Sequence, residues 1–161
     1  EPDIFHDVFG HVPLHTLKVG ADFLQTYGKA ALLCDDERHI KRLGRLFWFT
    51  VEFGLIETPS GVRAYGAGIL SSGGEISYSV DSPDPNRIGF DLLRIMRTRY
   101  KIDTYQETYF VVRDFRQLFE ATAPDFTPYY EQLKGRETHA PSAVLAGDRV
   151  LHRGLAPIRA A

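Results

Sequence analysis

The run Leu46-Phe47-Trp48-Phe49-Thr50-Val51-Glu52-Phe53-Gly54-Leu55 sets one acid among apolar and aromatic side chains. From Glu37 to Ile56, apolar residues at Ile40, Leu43, Phe47, Val51 and Leu55 recur at three- and four-residue steps, the pattern of an amphipathic helix. Burying that helix buries the carboxylate with it, and an unpaired carboxylate is costly to remove from water. The fold must therefore bring Glu52 a partner, either a buried Arg or a metal ion. Trp48, one helical turn before Glu52, shares its face.

The segment Glu1-Pro2-Asp3-Ile4-Phe5-His6-Asp7-Val8-Phe9-Gly10-His11-Val12-Pro13 offers the second kind of partner. His6, His11 and Glu52 make two histidines and one carboxylate, the ligand set of a facially capped non-haem Fe(II) site with three coordination positions open. Zinc more often draws a third His or a Cys, although His2Glu zinc hydrolases exist, so ligand types alone leave the metal open. On one continuous α-helix the two histidines would stand about 140° apart around the axis, too far to share an ion. The chain is expected to bend between them. Glu1 and Asp3 with Pro2 suit a first helical turn, Gly10 reads as a left-handed residue just past the helix end, and Pro13 discourages a helix at Val12. His15, His39, His139 and His152 read as ordinary hydrogen-bonded histidines.

A coarse pass supplies the rest. Leu17 to Leu33 reads as a helix carrying Phe23, Tyr27, Ala30 and Ala31 near one face, and Pro59-Ser60-Gly61 as a turn. Val62 to Ile69 and Glu75 to Val80 read as short strands around a loop holding Ser71, Ser72, Gly73 and Gly74. Pro83-Asp84-Pro85-Asn86 is expected to open a helix running to about Arg97, Ile102 to Val112 to be extended, and Asp114 to cap a short helix ending at Ala121. The tail 134–161, rich in Ala, Gly, Pro and Arg without period, is expected to be mobile or loosely docked.

A chain of 161 residues can bury one core. A net charge of −2 without a basic run points away from nucleic acid, and no apolar run is long enough to span a membrane. The single cysteine, Cys34, excludes an internal disulfide and agrees with a reducing cytoplasm.

Three stretches carry a family resemblance: His6-Asp7-Val8-Phe9-Gly10-His11-Val12-Pro13, Trp48-Phe49-Thr50-Val51-Glu52-Phe53-Gly54-Leu55 and Tyr65-Gly66-Ala67-Gly68-Ile69-Leu70-Ser71-Ser72. With them the chain resembles the pterin-dependent aromatic amino acid hydroxylases from Glu1 to about Leu133, and Tyr100 to Phe110 and Phe115 to Phe126 look like the bacterial members. Nothing from Lys134 onward matches the family. The resemblance implies a mainly α fold with a few short β-strands, of the hydroxylase catalytic-domain type. Opening inside the iron motif, the chain looks like its C-terminal half, with residues 1–133 as the iron-binding part. The family's pterin-stacking aromatic and carboxylate-clamping arginine would lie upstream.

The resemblance also implies roles. His6, His11 and Glu52 would hold Fe(II); Pro2, Trp48, Phe53, Gly68 and Ser71 would line the amino acid pocket, Gly68 letting substrate approach the backbone; Asp7 and Glu75 would lie near the pterin. Trp48, Ser71 and Glu52 would serve catalysis, Ser71 by hydrogen bonding near His6, with Asp3 acting similarly on the histidine pair. Phe47 stands where the family usually has Tyr. The implied reaction is hydroxylation of L-phenylalanine to L-tyrosine by O2, with Fe(II) and a tetrahydropterin (tetrahydrobiopterin or related), in a cytoplasmic monomer engaged in phenylalanine catabolism. Three other readings stand beside it: a tyrosine or tryptophan hydroxylase, a fragment without turnover of its own, and a zinc hydrolase on the same ligands. For the last, Asp7 is the only nearby general base, at the wrong spacing for a His-Glu-x-x-His helix.

Overall fold

Helices dominate the computed structural model, which describes residues 4–32, 34 and 36–155. The first is a π-helical turn, His6–His11, running directly into α1, Val12–Thr16, and followed by α2, Lys18–Leu32. Asp36 caps α3, Glu37–Phe47, by accepting from the Arg38 N–H. A second π-helical turn, Trp48–Glu52, continues α3 without a break. The periodic run expected to reach Ile56 thus ends at Glu52, and Leu55–Thr58 becomes β1. The Pro59-Ser60 turn and Gly61, at φ +104°, return the chain into β2, Gly61–Ala64.

Then come α4, Ala67–Leu70; α5, Gly73–Asp81; β3, Asn86–Gly89; α6, Leu92–Ile95; β4, Thr108–Val112; α7, Phe115–Thr122; α8, Thr127–Gln132; and β5, Val150–His152. Three expectations fail here. The strand expected from Val62 to Ile69 ends at Ala64, and Ala67–Leu70 turns helical with Ala67 and Ile69 buried, Ala67 against Gly10 of the first π-turn; Gly73 and Gly74, expected in a loop, open α5. The segment from Glu75 to Val80 is helical, because its buried residues, Glu75 and Ser79, recur at four and lie on one helical face. Asn86–Gly89 is a strand, buried throughout, and helix begins only at Leu92 under the Asp91 cap. The Ile102 to Val112 expectation holds for its last five residues. Asp114 caps α7 as expected, accepting from Gln117 N–H at 2.7 Å.

The strands form one sheet in the order β2-β1-β4-β3-β5. β1, β4 and β3 run parallel, while β2 and β5 pair antiparallel on the two edges. Parallel strands are normally covered on both faces, and β4 is buried along its whole length. Leu43, Leu46 and Phe49 from α3 and its π-turn pack with Ile88, Ile95, Met96 and Phe110 in the largest core cluster. That packing anchors the helix carrying Glu52.

The tail differs from expectation up to Leu155. β5 pairs with β3, the Asp148 carboxylate meets the buried Arg94 guanidinium at 3.0 Å, and Asn86 Nδ2 donates to Ser142 O. Composition without period concealed these long-range polar anchors. Of the histidines expected to be ordinary, His15 is exposed, His39 stacks on Tyr130 at 3.9 Å, and His152 bonds Pro83 O from an exposed position. His139 Nε2 is buried without a hydrogen-bond partner among the described residues. Among the described residues no helix is long and apolar enough to cross a membrane.

Candidate metal centre

The histidine pair is positioned by the width of its backbone turn. A π-turn bonds each residue to the one five along, so it sets positions 6 and 11 side by side where an α-helix would splay them. The expected bend is absent. Gly10 lies within the turn, and among the described residues only Gly61 and Gly135 have positive φ. Gly10 is small for a different reason: a Cβ there would stand 2.8 Å from Ala67 Cβ and 3.0 Å from Ala67 Cα, so glycine lets the π-turn seat on α4. Pro13 does not stop the helix. It sits in the first turn of α1, where a missing N–H is tolerated. Glu1, Pro2 and Asp3 lie outside the described residues.

Three donors converge. His11 Nε2 lies 3.0 Å from His6 Nε2 and 3.4 Å from Glu52 Oε1, and His6 Nε2 lies 3.8 Å from Glu52 Oε2. The donor atoms all fall within 4.8 Å of one another. Two imidazole nitrogens bound at right angles to one ion, each at about 2.1 Å, would stand about 3 Å apart, the separation of this pair. Ser71 fixes the His6 tautomer. Its hydroxyl donates to Ala67 O at 2.9 Å, so its Oγ accepts from the His6 Nδ1–H, also at 2.9 Å. The Nε2 lone pair of His6 then faces Glu52 and His11, the arrangement a metal ligand needs. The chemistry and spacing of this donor set fit a divalent ion.

Aromatic walls stand beside the triad. Trp48 stacks on Tyr100 with ring centroids 4.3 Å apart and on Phe53 at 4.6 Å, and its Nε1–H donates to Gln106 Oε1 at 3.1 Å. A Cβ on Gly68 would meet Phe53 Cζ at 2.8 Å and Glu52 O at 3.1 Å. The space glycine opens there is filled by the Phe53 ring and the Glu52 backbone. Phe47 packs against Tyr27 at 5.6 Å, in a cluster with Leu14, Phe23 and Val51, so its ring serves the core.

Phe53, Glu75, Ile102, Asp103, Thr104, Tyr105 and Gln106 line a cavity of about 460 Å³. Glu75 is buried in its wall. Desolvation pushes its carboxyl above the usual range, against the hydrogen bonds it accepts from Tyr109 OH, at 2.7 Å, and the Gln106 N–H. Burial and the same carboxylate push the Tyr109 hydroxyl well up. Asp7 is exposed on the first π-turn. The fold therefore gathers His6, His11, Glu52 and Ser71 at one point and Trp48, Phe53 and Gly68 beside it, with Glu75 on the cavity wall. Sequence reasoning missed Gln106, whose contact with Trp48 spans 58 residues and leaves no periodic trace.

Residues 1–134 match the biopterin-dependent aromatic amino acid hydroxylase family. The phenylalanine-4-hydroxylase of Chromobacterium violaceum is 56% identical over 154 residues, covering 96% of this chain and 52% of the relative. That of Ralstonia nicotianae is 57% identical, covering 96% of this chain and 49% of the relative. Both matches continue past residue 134, where the sequence alone suggested no likeness. A crystal structure of the Chromobacterium violaceum enzyme with Fe(III) superposes with a TM-score of 0.90 at 56% identity, covering 94% of this chain and 55% of that one. Structures of the same enzyme hold iron(III) with 7,8-dihydrobiopterin (TM-score 0.88) and iron with phenylalanine (TM-score 0.89). The chain spans about half the length of these relatives.

Proposed function

Since this chain belongs to the biopterin-dependent aromatic amino acid hydroxylases, we propose that it carries the iron-binding part of an enzyme that hydroxylates L-phenylalanine to L-tyrosine with O2. Residues 1–133 form that part, corresponding to the C-terminal half of the catalytic domain, in a monomeric cytoplasmic protein. The observation that carries the reading is the convergence of His6, His11 and Glu52, with the His6 tautomer set by Ser71. In this reading the three hold Fe(II), and a tetrahydropterin (tetrahydrobiopterin or related) binds near Asp7 and Glu75. When bound, iron and pterin together supply activated oxygen and two electrons, chemistry that protein side chains lack.

The chain's own residues do the positioning. Glu52 contributes an anionic donor that offsets the charge of a divalent ion, and its place on a helix packed into the core keeps it there. Ser71 holds the His6 ring so that Nδ1 keeps its proton and Nε2 stays an acceptor. Trp48 and Phe53 offer ring faces and edges to an aromatic substrate, each such pairing contributing about 0.5–1.5 kcal/mol beyond area burial. Pro2 belongs to the same expected pocket and lies outside the described residues. Glu75, drawn into the cavity wall by Tyr109, presents a carboxylate that can accept from the N–H groups of a pterin.

Pterin oxidation and tyrosine formation, measured side by side on the full-length protein, test this reading. Tyrosine is expected only when Fe(II), tetrahydropterin and L-phenylalanine are all present. Trp48→Ala should raise KM for L-phenylalanine more than KM for the pterin. Faster turnover of tyrosine or tryptophan would move the substrate, and hydrolytic activity with zinc in place of pterin-dependent turnover would overturn the reading.

A further inference from the structure

We propose that Gln106 is a positioning residue for the amino acid pocket: its side-chain amide sets where the Trp48 indole lies within its own plane. The proposal rests on Trp48 being a pocket wall, as read above.

Stacking alone cannot place this indole. Tyr100 covers one part of it at 4.3 Å with an interplanar angle of 14°, and Phe53 packs on it at 4.6 Å with an angle of 33°. Such contacts resist tilting, but offset-stacked rings tolerate sliding along their planes. Among the described residues, the directional contact of the ring is Nε1–H to Gln106 Oε1, at 3.1 Å. A hydrogen bond weakens steeply as its angle opens, so this bond fixes the in-plane position that stacking leaves free.

The amide that receives the bond is itself held. Gln106 is 3% exposed, and its Nε2 donates to Lys101 O at 3.0 Å and Thr104 O at 3.5 Å. Trp Nε1–H can only donate and backbone carbonyls can only accept, so the oxygen of the amide must face Trp48 and its nitrogen the loop. The orientation has no alternative. The same residue lines, with Glu75, the cavity described above. Gln106 thus joins the wall at Trp48 to the cavity at Glu75, and ties both to the 101–106 loop.

Trp48 is the only tryptophan among these 161 residues, and in the full-length protein the emission lost in Trp48→Phe isolates the signal of this indole. The test compares Gln106→Met, Gln106→Asn and Trp48→Phe, singly and with the first combined with the third, in the full-length protein. Gln106→Met keeps the length and removes the acceptor. Its emission should shift, and KM for L-phenylalanine should rise roughly 2- to 10-fold, the worth of one net hydrogen bond, while KM for the tetrahydropterin stays within about twofold. Gln106→Asn keeps an amide but is one methylene shorter, so its oxygen falls short of Nε1–H, and its emission and KM for L-phenylalanine should shift in the same direction as in Gln106→Met. In the Trp48→Phe background, which lacks the N–H, adding Gln106→Met should change KM for L-phenylalanine no further.

Equal effects of Gln106→Met in both backgrounds would overturn the proposal, as would unchanged emission in Gln106→Met. If Gln106→Met does not fold, a folded Gln106→Asn protein with unchanged emission and unchanged KM for L-phenylalanine would overturn it as well. Wild-type protein whose emission ignores L-phenylalanine would instead overturn the pocket reading, and the proposal with it.

Discussion

Two clusters of charged and polar side chains hold this molecule together at different places, and they are built differently. At Arg94 and Asp148 the side chains are only 6% and 5% exposed, and donors meet acceptors throughout. The guanidinium reaches Asp148, Thr98 Oγ1 and Ala143 O, while the Asp148 carboxylate also accepts from Leu145 N–H. At His6, His11 and Glu52 the side chains are 16% to 25% exposed, and a carboxylate and two imidazole nitrogens converge on a common point. A charge cluster that completes its own pairing serves the fold, whereas one that gathers donors of ion-ligand type around a shared centre leaves a place for an ion. The two clusters should therefore answer to different measurements, stability for the first and metal occupancy for the second.

The largest expected effect breaks the first cluster. Asp148→Ala leaves the Arg94 guanidinium buried without its counter-charge and should cost about 3–5 kcal/mol in chemical denaturation. Metal content of the folded protein should not change; if it falls, the clusters are not independent. Gly10→Ala probes the seam where the metal-facing turn rests on α4. Its Cβ would press on Ala67, costing about 1–3 kcal/mol in stability and moving both histidines, so denaturation and metal titration should both respond.

Ser71→Ala should do the reverse of Asp148→Ala. It releases the His6 ring, lowering metal affinity or activity about 10- to 100-fold with little change in thermal midpoint. Tyrosine formed per pterin oxidised should fall with it, and a fully coupled Ser71→Ala enzyme at wild-type rate would reduce Ser71 to a loop residue. Asp114→Ala, far from both clusters in sequence, removes only the α7 cap and should cost about 1 kcal/mol with no change in metal.

The smallest expected effect is a slope. The Glu75 carboxyl titrates above its ordinary range because burial disfavours its charge. Its stabilising contribution is full below the unfolded value of about 4.3 and is lost as pH rises through the higher folded value. Glu75→Gln should flatten the fall of the thermal midpoint over that window and match or exceed wild-type stability at neutral pH. An unchanged slope would assign the pH dependence to other groups.

What the sequence disclosed was local or chemical. α2, the Pro59-Ser60-Gly61 turn and the Asp114 cap depend on neighbours within one turn, and all three were legible. That Glu52 would need a partner was legible from a lone acid in an apolar run, but choosing His6 and His11 over a buried Arg took the family-like stretches around them. How the histidines meet was not, since the π-turn is a backbone choice stabilised by the seating of Gly10 on Ala67, a contact between residues distant in sequence. The strand Asn86–Gly89 and the docking of the tail were hidden for the same reason. Arg87 is held by Ser79 O and Ser82 O, and Asn86 by Ser142 O, polar anchors that no apolar period announces.

The central claim is that the converging triad holds one Fe(II). Iron bound per folded chain, determined by elemental analysis after anaerobic reconstitution, tests it most directly in wild type, His6→Ala, His11→Ala and Glu52→Gln. About one iron per chain is expected in wild type, since the three donors form a single facial set, with a clear loss in each variant whose helical signal is intact. Unchanged iron stoichiometry in all three variants would contradict the account.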